Sequence, residues 1–302
     1  MHLVVPFAAP LSEGGRQALR TVQLPRLADW LRRARLAERD DGDEQSLSPP
    51  HERALARANS WQGADGLWPF AASAAATDGI DVGVQAWGLL TPVHWHLGTE
   101  QLSLIDPDGL MLDETASRGM FDAVAPLFTS DGFAAHYGAA SRWYIAHDSL
   151  ATLPTASLDR VIGRNVDRWL LSGPAGRLLR RLQNEVQMLL YTHPLNDERE
   201  ARGLLPINSF WLSGCGRAQP ARAAAGVDDR LRSAALGEDW AAWCKGWATL
   251  DEAWPAGMTR LTLCGERASA TFEPTARGFM NSLRSLARRQ SRYSPRNLLE
   301  SL

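Results

Sequence analysis

The sequence has 302 residues, of which 45% are hydrophobic and 22% charged, so it can bury a substantial core without disulfides or a structural metal. Its formal net charge of -2 excludes the strongly basic surface of nucleic-acid grooves and of proteins bound to anionic membranes. Lys245 is the only lysine, and no P-loop pattern occurs, which disfavours P-loop and Schiff-base chemistry.

The N-terminal part of the chain predicts a strand, then helices and one long loop. An apolar run predicts a buried strand at residues 3–5, and leucines at near-helical spacing predict a helix over 15–39 that Pro25 divides. Clustered acids, serines and two prolines predict a solvated loop at 38–52. A helix at about 50–60 follows.

Residues 83–147 have the pattern of a small α+β subdomain. Short apolar runs separated by Thr-Pro and Asp-Pro-Asp-Gly turns predict strands, and residues 115–128 predict a helix. The sequence GFAAHYGAASRWYIAH predicts two further strands. The order strand, strand, helix, strand, strand is that of an α+β unit.

The remainder of the chain alternates helices with strands. Helices are predicted at 157–170, 174–192 and 239–250, and strands at 209–212 and 261–264; a basic amphipathic helix is predicted at 275–289.

The best metal-binding pattern is the His-Trp-His sequence at residues 94–96. His94 and His96 have i, i+2 spacing, so on a strand their rings would lie on the same face. No H-E-x-x-H or C-x-x-C motif accompanies them, and short aromatic strands often hold histidine for packing. The pair is therefore a weak metal candidate.

Residues 193–217, HPLNDEREARGLLPINSFWLSGCGR, join a polar stretch to an apolar strand that ends in Gly-Cys-Gly. A strand running into G-x-G can present successive backbone N–H groups to an anion, with Arg199, Arg202 and Arg217 supplying charge. Alternatively, Asn196 and Asn208 cap turns and the arginines are solvated. Residue types leave both interpretations open.

Nucleophilic catalysis has weaker support. No G-x-S-x-G elbow occurs, and Cys215 lies between glycines without an identifiable partner. Cys215, Cys244 and Cys264 are odd in number and widely spaced, which predicts reduced thiols. The tryptophans fall mostly in apolar segments, as core residues do.

The segment from residue 193 resembles archaeal-type cofactor-independent phosphoglycerate mutases, in which an H-x-x-N-x-x-R pattern precedes a Gly, a Pro-Ala-Asn-like triplet and a strand ending in R-G-x-G. Two further stretches resemble the same family: YGAASRWYIAHDSLATLPTASLDRVIG, which contains Arg142, and WAAWCKGWATL, which contains Lys245. A closer resemblance, over about residues 85–265, is to bacterial RpfE-type regulatory proteins of the phosphoglycerate mutase-like group. The residues of the first segment that match in order are His193, Asn196, Arg199, Gly203, Pro206, Asn208, Gly214 and Gly216.

The resemblance implies an alkaline-phosphatase-like α/β core sheet flanked by helices. Residues 1–84 and 171–302 would form this core, and residues 85–170 an inserted α+β subdomain. Active members of that superfamily use two metal ions, held by Asp and His, and a Ser or Thr nucleophile. This sequence has VVPFAAP where their first strand ends in Asp-Gly, and no histidine follows His193. The resemblance is thus to a degenerate member, a pseudoenzyme.

We therefore expect a non-catalytic phosphoglycerate mutase-like protein with a regulatory or small-anion-binding role and no cofactor. The expected partner is a phosphorylated small metabolite or a protein, not nucleic acid or a membrane. The candidate ligand-binding residues are Arg142, His193, Asn196, Arg199, Arg202, Asn208, Gly214, Gly216 and Lys245.

Two alternatives remain open. One is a phosphomutase or phosphatase with an altered Mn or Zn site that uses His94 and His96 together with His147 or His193. The other is an interaction protein whose tryptophan-rich helix near residues 240–254 forms a partner face. Reduced thiols and the lack of a long apolar run predict a cytoplasmic location.

Overall fold

The computed structural model describes residues 1–98, 101–171, 173–222, 225–275 and 294–302. The chain divides into two compact units. The first comprises Met1–Gln45, Pro49–Ser60 and Arg222–Leu302, and the second comprises Ser46–Ser48 and Trp61–Ala221.

The strands are β1 (His2–Ala9), β2 (Ala34–Asp41), β3 (Ala86–Val93), β4 (Trp95–Leu97), β5 (Leu102–Leu104), β6 (Ala134–Ala139), β7 (Arg142–Ala146), β8 (Ser209–Arg217), β9 (Ala225–Val227), β10 (Arg260–Gly265) and β11 (Ala268–Pro274). The α-helices are α1 (Glu13–Thr21), α2 (Pro25–Leu31), α3 (Pro50–Ala58), α4 (Phe70–Thr77), α5 (Glu114–Ser130), α6 (Leu158–Val161), α7 (Gly173–Tyr191), α8 (Pro194–Ala201), α9 (Arg232–Leu236), α10 (Trp240–Glu252) and α11 (Pro295–Leu299). Short 3-10 helices span Pro107–Leu110, Asp148–Thr152 and Val166–Trp169.

The first unit contains a five-stranded mixed sheet in the order β2-β11-β10-β1-β9. β1 pairs in parallel with β10 and β9, whereas β11 is antiparallel to β10 and β2. Successive side chains of β1 enter opposite layers: Leu3 and Val5 join the large apolar cluster that contains residues of α1, α2 and α10, while Val4 packs with Ala54 of α3. Helices therefore cover both faces of this sheet.

The layer beneath α3 is polar. Thr262 and Thr271, on neighbouring strands, share a hydrogen bond of 2.8 Å between their buried hydroxyls. Arg53 of α3 forms a 2.6 Å ion pair with Asp40 of β2. This side of the sheet is thus held by hydroxyl contacts and charge-assisted hydrogen bonds as well as by apolar packing.

The second unit contains a four-stranded antiparallel sheet in the order β6-β7-β3-β8, beside the β4-β5 hairpin. One apolar cluster joins Phe128 of α5, Val186 of α7 and Trp143 of β7. A second cluster joins the alanines of α4 to Trp87 and Tyr144. Helices therefore pack on both faces of this sheet as well.

Several predicted elements are confirmed, among them the strand at β1 and the helices α3, α5, α7 and α10. The helix predicted over 15–39 is wrong beyond residue 31, because 34–41 form strand β2 with strictly alternating exposure. The acids of ERDD belong to this strand, and Asp40 pairs with Arg53 instead of lying in a solvated loop. Leu36, which continues the near-helical leucine spacing of the preceding helices, instead packs from β2 against the apolar cluster of the first unit.

Other predicted bounds change. Over 157–170 the chain forms only the four-residue α6 and a 3-10 turn, and β8 extends from the predicted 209–212 to Arg217. The helix predicted at 275–289 lies, from residue 276 onward, outside the described residues. None of the helices described is long and apolar enough to cross a membrane.

The second unit is larger than the insertion predicted at residues 85–170. Residues 61–84 include α4, which packs on the sheet of this unit, and residues 171–221 contribute α7, α8 and strand β8. Because β8 pairs with β3 along nearly its whole length, these flanking segments fold with the sheet.

Candidate functional site

The carboxyl end of β1 is a candidate binding position, because ligands of α/β sheets bind where parallel strands end. Here β1 carries Phe7, Ala8 and Ala9, none of which has a polar side-chain atom. Phe7 adopts a positive φ of 53°. The pairing of β1 with β10 shifts register between Val5 and Ala9, so the strand bulges at this point.

Two indole groups of α10 hydrogen-bond to the backbone of β1 at the bulge. Nε1 of Trp243 donates to the Phe7 carbonyl at 2.9 Å, and Nε1 of Trp247 donates to the Ala8 carbonyl at 3.3 Å. Both tryptophans are fully buried. The carbonyl groups that the bulge takes out of the ladder are therefore satisfied by side chains from α10.

The residues at this edge do not fit a two-metal centre. The ring of His51 packs on Phe7, with centroids 5.4 Å apart. Within the described parts of the chain, no three His, Cys, Asp or Glu residues are grouped so that they could hold a metal ion. The side chains described at this edge therefore do not form a metal-binding group.

The histidine pair of the second unit has one ring nitrogen already engaged. The rings of His94 and His96 have centroids 6.5 Å apart. Nδ1 of His94 lies 2.8 Å from the Pro206 carbonyl oxygen, at hydrogen-bond distance. With no third ligand grouped near the pair in the described residues, the arrangement resembles packing more than coordination.

His193 and Asn196 organise the start of α8. His193 is the N-cap residue, and its Nδ1 accepts the Leu195 N–H at 3.3 Å. The buried Asn196 amide donates to the carbonyls of Leu190 and Ile207 at 2.8 and 2.7 Å, and its Oδ1 accepts the Ile207 N–H at 2.8 Å. Asn196 thus connects the end of α7 to the segment that leads into strand β8.

Arg199 is buried and hydrogen-bonds to backbone. Its Nε donates to the Leu205 carbonyl at 3.0 Å, and its Nη2 donates to the Leu110 carbonyl at 2.5 Å. Burial lowers the pKa of this guanidinium, and Arg202 lowers it further through charge repulsion, while Asp113 raises it. Arg202, at the C-cap of α8, is exposed.

Asn208 and the glycine pair also have structural contacts. The Asn208 side chain exchanges two hydrogen bonds with the Trp95 backbone, at 2.8 and 3.0 Å. Gly214 has a positive φ of 65°, and a Cβ there would lie 2.9 Å from the Ala71 backbone nitrogen. Both glycines lie within β8, which extends to Arg217, and not in a turn after it. The absence of a side chain at Gly214 permits the close approach of α4.

Arg142 is held by a carboxylate. Its Nε and Nη2 donate to the two oxygens of Asp78 at 2.9 and 2.8 Å, and the Tyr144 hydroxyl donates to the same carboxylate at 2.7 Å. These hydrogen bonds hold the pKa of Asp78 below its usual value, while burial and Asp78 raise that of Tyr144. Because Asp78 is the C-cap residue of α4, these hydrogen bonds connect the end of α4 to strand β7.

The structure brings part of the predicted set together. His193, Asn196, Arg199 and Arg202 lie on α8 or its caps, and the Asn196 contact reaches the residues next to Asn208. Arg142 is instead engaged with α4. Lys245 belongs to the first unit, where it is exposed on α10.

Sequence reasoning missed the tryptophan contacts of β1 and the role of Asp78. The W-x-x-W-x-x-x-W spacing at residues 240–247 signals a buried helical face, but no local pattern shows which carbonyl an indole will reach. Asp78 stands in a Thr-Asp-Gly sequence that reads as a simple turn.

Comparisons with known proteins give fold likenesses only. No protein-family model matches the sequence. A search of curated proteins finds no match either. Among solved structures, the chain is similar to the cofactor-independent phosphoglycerate mutase from Thermoplasma acidophilum DSM 1728, with 12% identity and a TM-score of 0.39 over 91% of this chain and 90% of that one. It is also similar to the PH0037 protein from Pyrococcus horikoshii, with 11% identity and a TM-score of 0.42 over 91% and 87% of the two chains.

The predicted fold class is confirmed. The chain has an α/β architecture in which a central mixed sheet is flanked by helices. The second unit adds an antiparallel sheet with its own helices.

Proposed function

We propose that this chain is a non-catalytic, phosphoglycerate mutase-like protein with a regulatory role. The observation that supports this most is the carboxyl end of β1, where the resembling enzymes begin a metal site with Asp-Gly. Here Phe7 and Ala8 occupy the position, and their carbonyls accept hydrogen bonds from Trp243 and Trp247. Apolar side chains and indoles thus stand where those enzymes have Asp-Gly, and no three His, Cys, Asp or Glu residues of the described chain are grouped so that they could hold a metal ion.

Two roles remain for residues 193–208: a regulatory contact with a protein partner, or binding of a small anion. The geometry of these residues favours the regulatory contact. Asn196, Arg199 and Asn208 direct their hydrogen bonds to backbone groups of the chain itself. Arg202 is the exposed cation of this segment, so a phosphorylated metabolite would bind there chiefly through one surface charge. We place the protein in the cytoplasm, where its three free thiols stay reduced.

An activity assay with metal analysis tests the absence of catalysis. The purified protein is incubated with 3-phosphoglycerate and with p-nitrophenyl phosphate in the presence of Mn²⁺ or Zn²⁺. We expect no turnover above the metal-free control and less than stoichiometric bound metal. Turnover that follows a stoichiometrically bound metal, and disappears on changing His94 and His96 to Ala, would establish the enzyme with an altered metal site instead.

A calorimetric titration separates the two binding roles. With 3-phosphoglycerate, the contact interpretation predicts no heat of binding in the wild type. Binding that is lost in Arg202→Gln but kept in Arg177→Gln, an exposed arginine on α7, would favour the small-anion role instead. Both substitutions change exposed residues, so the fold of the second unit is preserved.

A further inference from the structure

The first unit contains a cavity that none of the sequence patterns indicated. It has a volume of about 460 Å³ and lies between α2 and the turn that follows α10. Its walls include Pro25, Arg26, Trp30, Arg33 and Trp254. This volume is within the range of small-molecule sites, roughly 300–1,000 Å³.

Two tryptophans give the cavity an aromatic wall. The rings of Trp30 and Trp254 have centroids 6.5 Å apart and planes inclined at 57°. Both side chains are half-buried, so each keeps part of its surface open. The Trp254 indole N–H is shielded from solvent and has no acceptor among the described residues.

The cavity wall also carries a cation that has no counter-ion among the described residues. Asp29 forms ion pairs with Arg32 and Arg33, so the one carboxylate on the wall is already compensated. Arg26 is exposed, and its guanidinium forms no ion pair within the parts of the chain that the structure describes. A guanidinium in this position favours an anionic group on a ligand.

The walls are held in place before any ligand binds. The backbone N–H groups of Arg26 and Leu27 donate to the carboxylate of Asp251, at the end of α10. Pro25 fixes the first residue of α2. A preformed cavity of this kind loses little conformational entropy on binding.

We propose that this cavity binds a small aromatic anion, with the ring against Trp30 and Trp254 and the carboxylate or phosphate group paired with Arg26. The inference is independent of the function proposed above, because it concerns other residues and holds for an enzyme as well as for a regulatory protein.

Calorimetric titration with three probes tests the site. Phenyl phosphate carries both the ring and the charge, phenol carries only the ring, and inorganic phosphate carries only the charge. We expect phenyl phosphate to bind at least about tenfold more tightly than either fragment, a difference of about 1.4 kcal/mol. Equal affinity for phenyl phosphate and one fragment, or no binding of phenyl phosphate, would overturn the assignment.

Variants locate the binding. Arg26→Gln should weaken phenyl phosphate binding about tenfold or more, and Trp30→Ala should weaken it by a similar factor. Arg20→Gln, which changes an exposed arginine of α1 outside the cavity wall, should leave the affinity unchanged. Unaltered binding in Arg26→Gln, with folding verified by circular dichroism, would refute the site. The phosphoglycerate assays do not involve these residues, so failure of one inference is distinguishable from failure of the other.

Discussion

The carboxylate of Asp251 accepts a hydrogen bond from the backbone N–H of Leu27 at 2.8 Å. Its second oxygen accepts the N–H of Arg26 at 3.0 Å. Leu24, the residue before α2, provides no side-chain cap, so Asp251 supplies the acceptor that the first turn otherwise lacks. A residue at the end of α10 thus completes a helix that lies more than two hundred positions earlier in the chain.

Removing this cap should destabilise the first unit. Asp251→Ala leaves two N–H groups of α2 without their acceptor and should lower the free energy of unfolding by about 1–3 kcal/mol. Denaturant-induced unfolding measures the change. Glu252→Ala, at an exposed neighbouring position, is the control and should have little effect. An equal loss in both variants would show that the capping geometry is unimportant.

Trp243→Phe tests the closure of the β1 bulge. The substitution keeps an aromatic ring but removes the N–H that donates to the Phe7 carbonyl, leaving a buried acceptor unpaired. We expect a loss of about 1–3 kcal/mol in unfolding free energy, plus a contribution from the smaller ring volume. Trp240→Phe, on the same helix but only partly buried, should lose clearly less. A larger loss in Trp240→Phe would contradict this account.

His2 should make stability depend on pH. Burial, followed by the charges of Arg260 and the N-terminus, lowers its pKa from 6.5 to about 4, against an opposing effect of Glu273. Between these two values the unfolded chain binds a proton that the native protein does not, so stability falls as the pH drops from about 6.5 towards 4. Above this window the contribution is constant.

The His2→Gln variant measures that contribution, because glutamine does not titrate. Its unfolding free energy, followed by denaturant titration at a series of pH values, should decline less steeply than that of the wild type over the same window. Parallel curves for the two proteins would show that His2 does not take part.

The thiols should differ in reactivity. Cys215 and Cys264 are fully buried, and burial raises the pKa of Cys215 to about 12 and also raises that of Cys264. Since the thiolate is the reactive form, alkylation of the native protein at mildly alkaline pH should label Cys244 alone, whereas denaturant should expose all three. Mass spectrometry counts the labels. Native labelling of Cys264 would contradict the burial of the layer under α3.

The amphipathic helices were the most predictable part of the fold. The leucine stripe of 174–192 and the pattern of 115–128 determine α7 and α5 almost to their ends, because one helical face is buried along their length. Strand β2 was missed because its partner β11 lies more than two hundred residues away, and because Arg35, Arg39 and Asp41 on its exposed side are charged. Pairing across such a distance leaves no local signal.

The candidate site was less predictable than the fold. Residue types leave two interpretations of this segment open, an anion site or capped turns with solvated arginines. In the structure, the buried side chains of Asn196 and Arg199 each have a specific task, since both donate to backbone carbonyls. Whether that task is ligand binding or backbone support depends on which carbonyls the fold brings within reach, and sequence spacing does not contain this information. The cavity near Trp30 and Trp254 was missed for the same reason, since its walls come from opposite parts of the chain.

The topology of the first sheet has a consequence for the order of events during synthesis. Every strand that pairs with β1 or β2 lies after residue 224, whereas all strands of the second sheet lie between residues 86 and 217. A growing chain therefore completes the second unit first, while β1 and β2 wait without partners. Until β10 and β11 leave the ribosome, the apolar β1 is an unprotected edge, and we expect chaperone binding to concentrate on it.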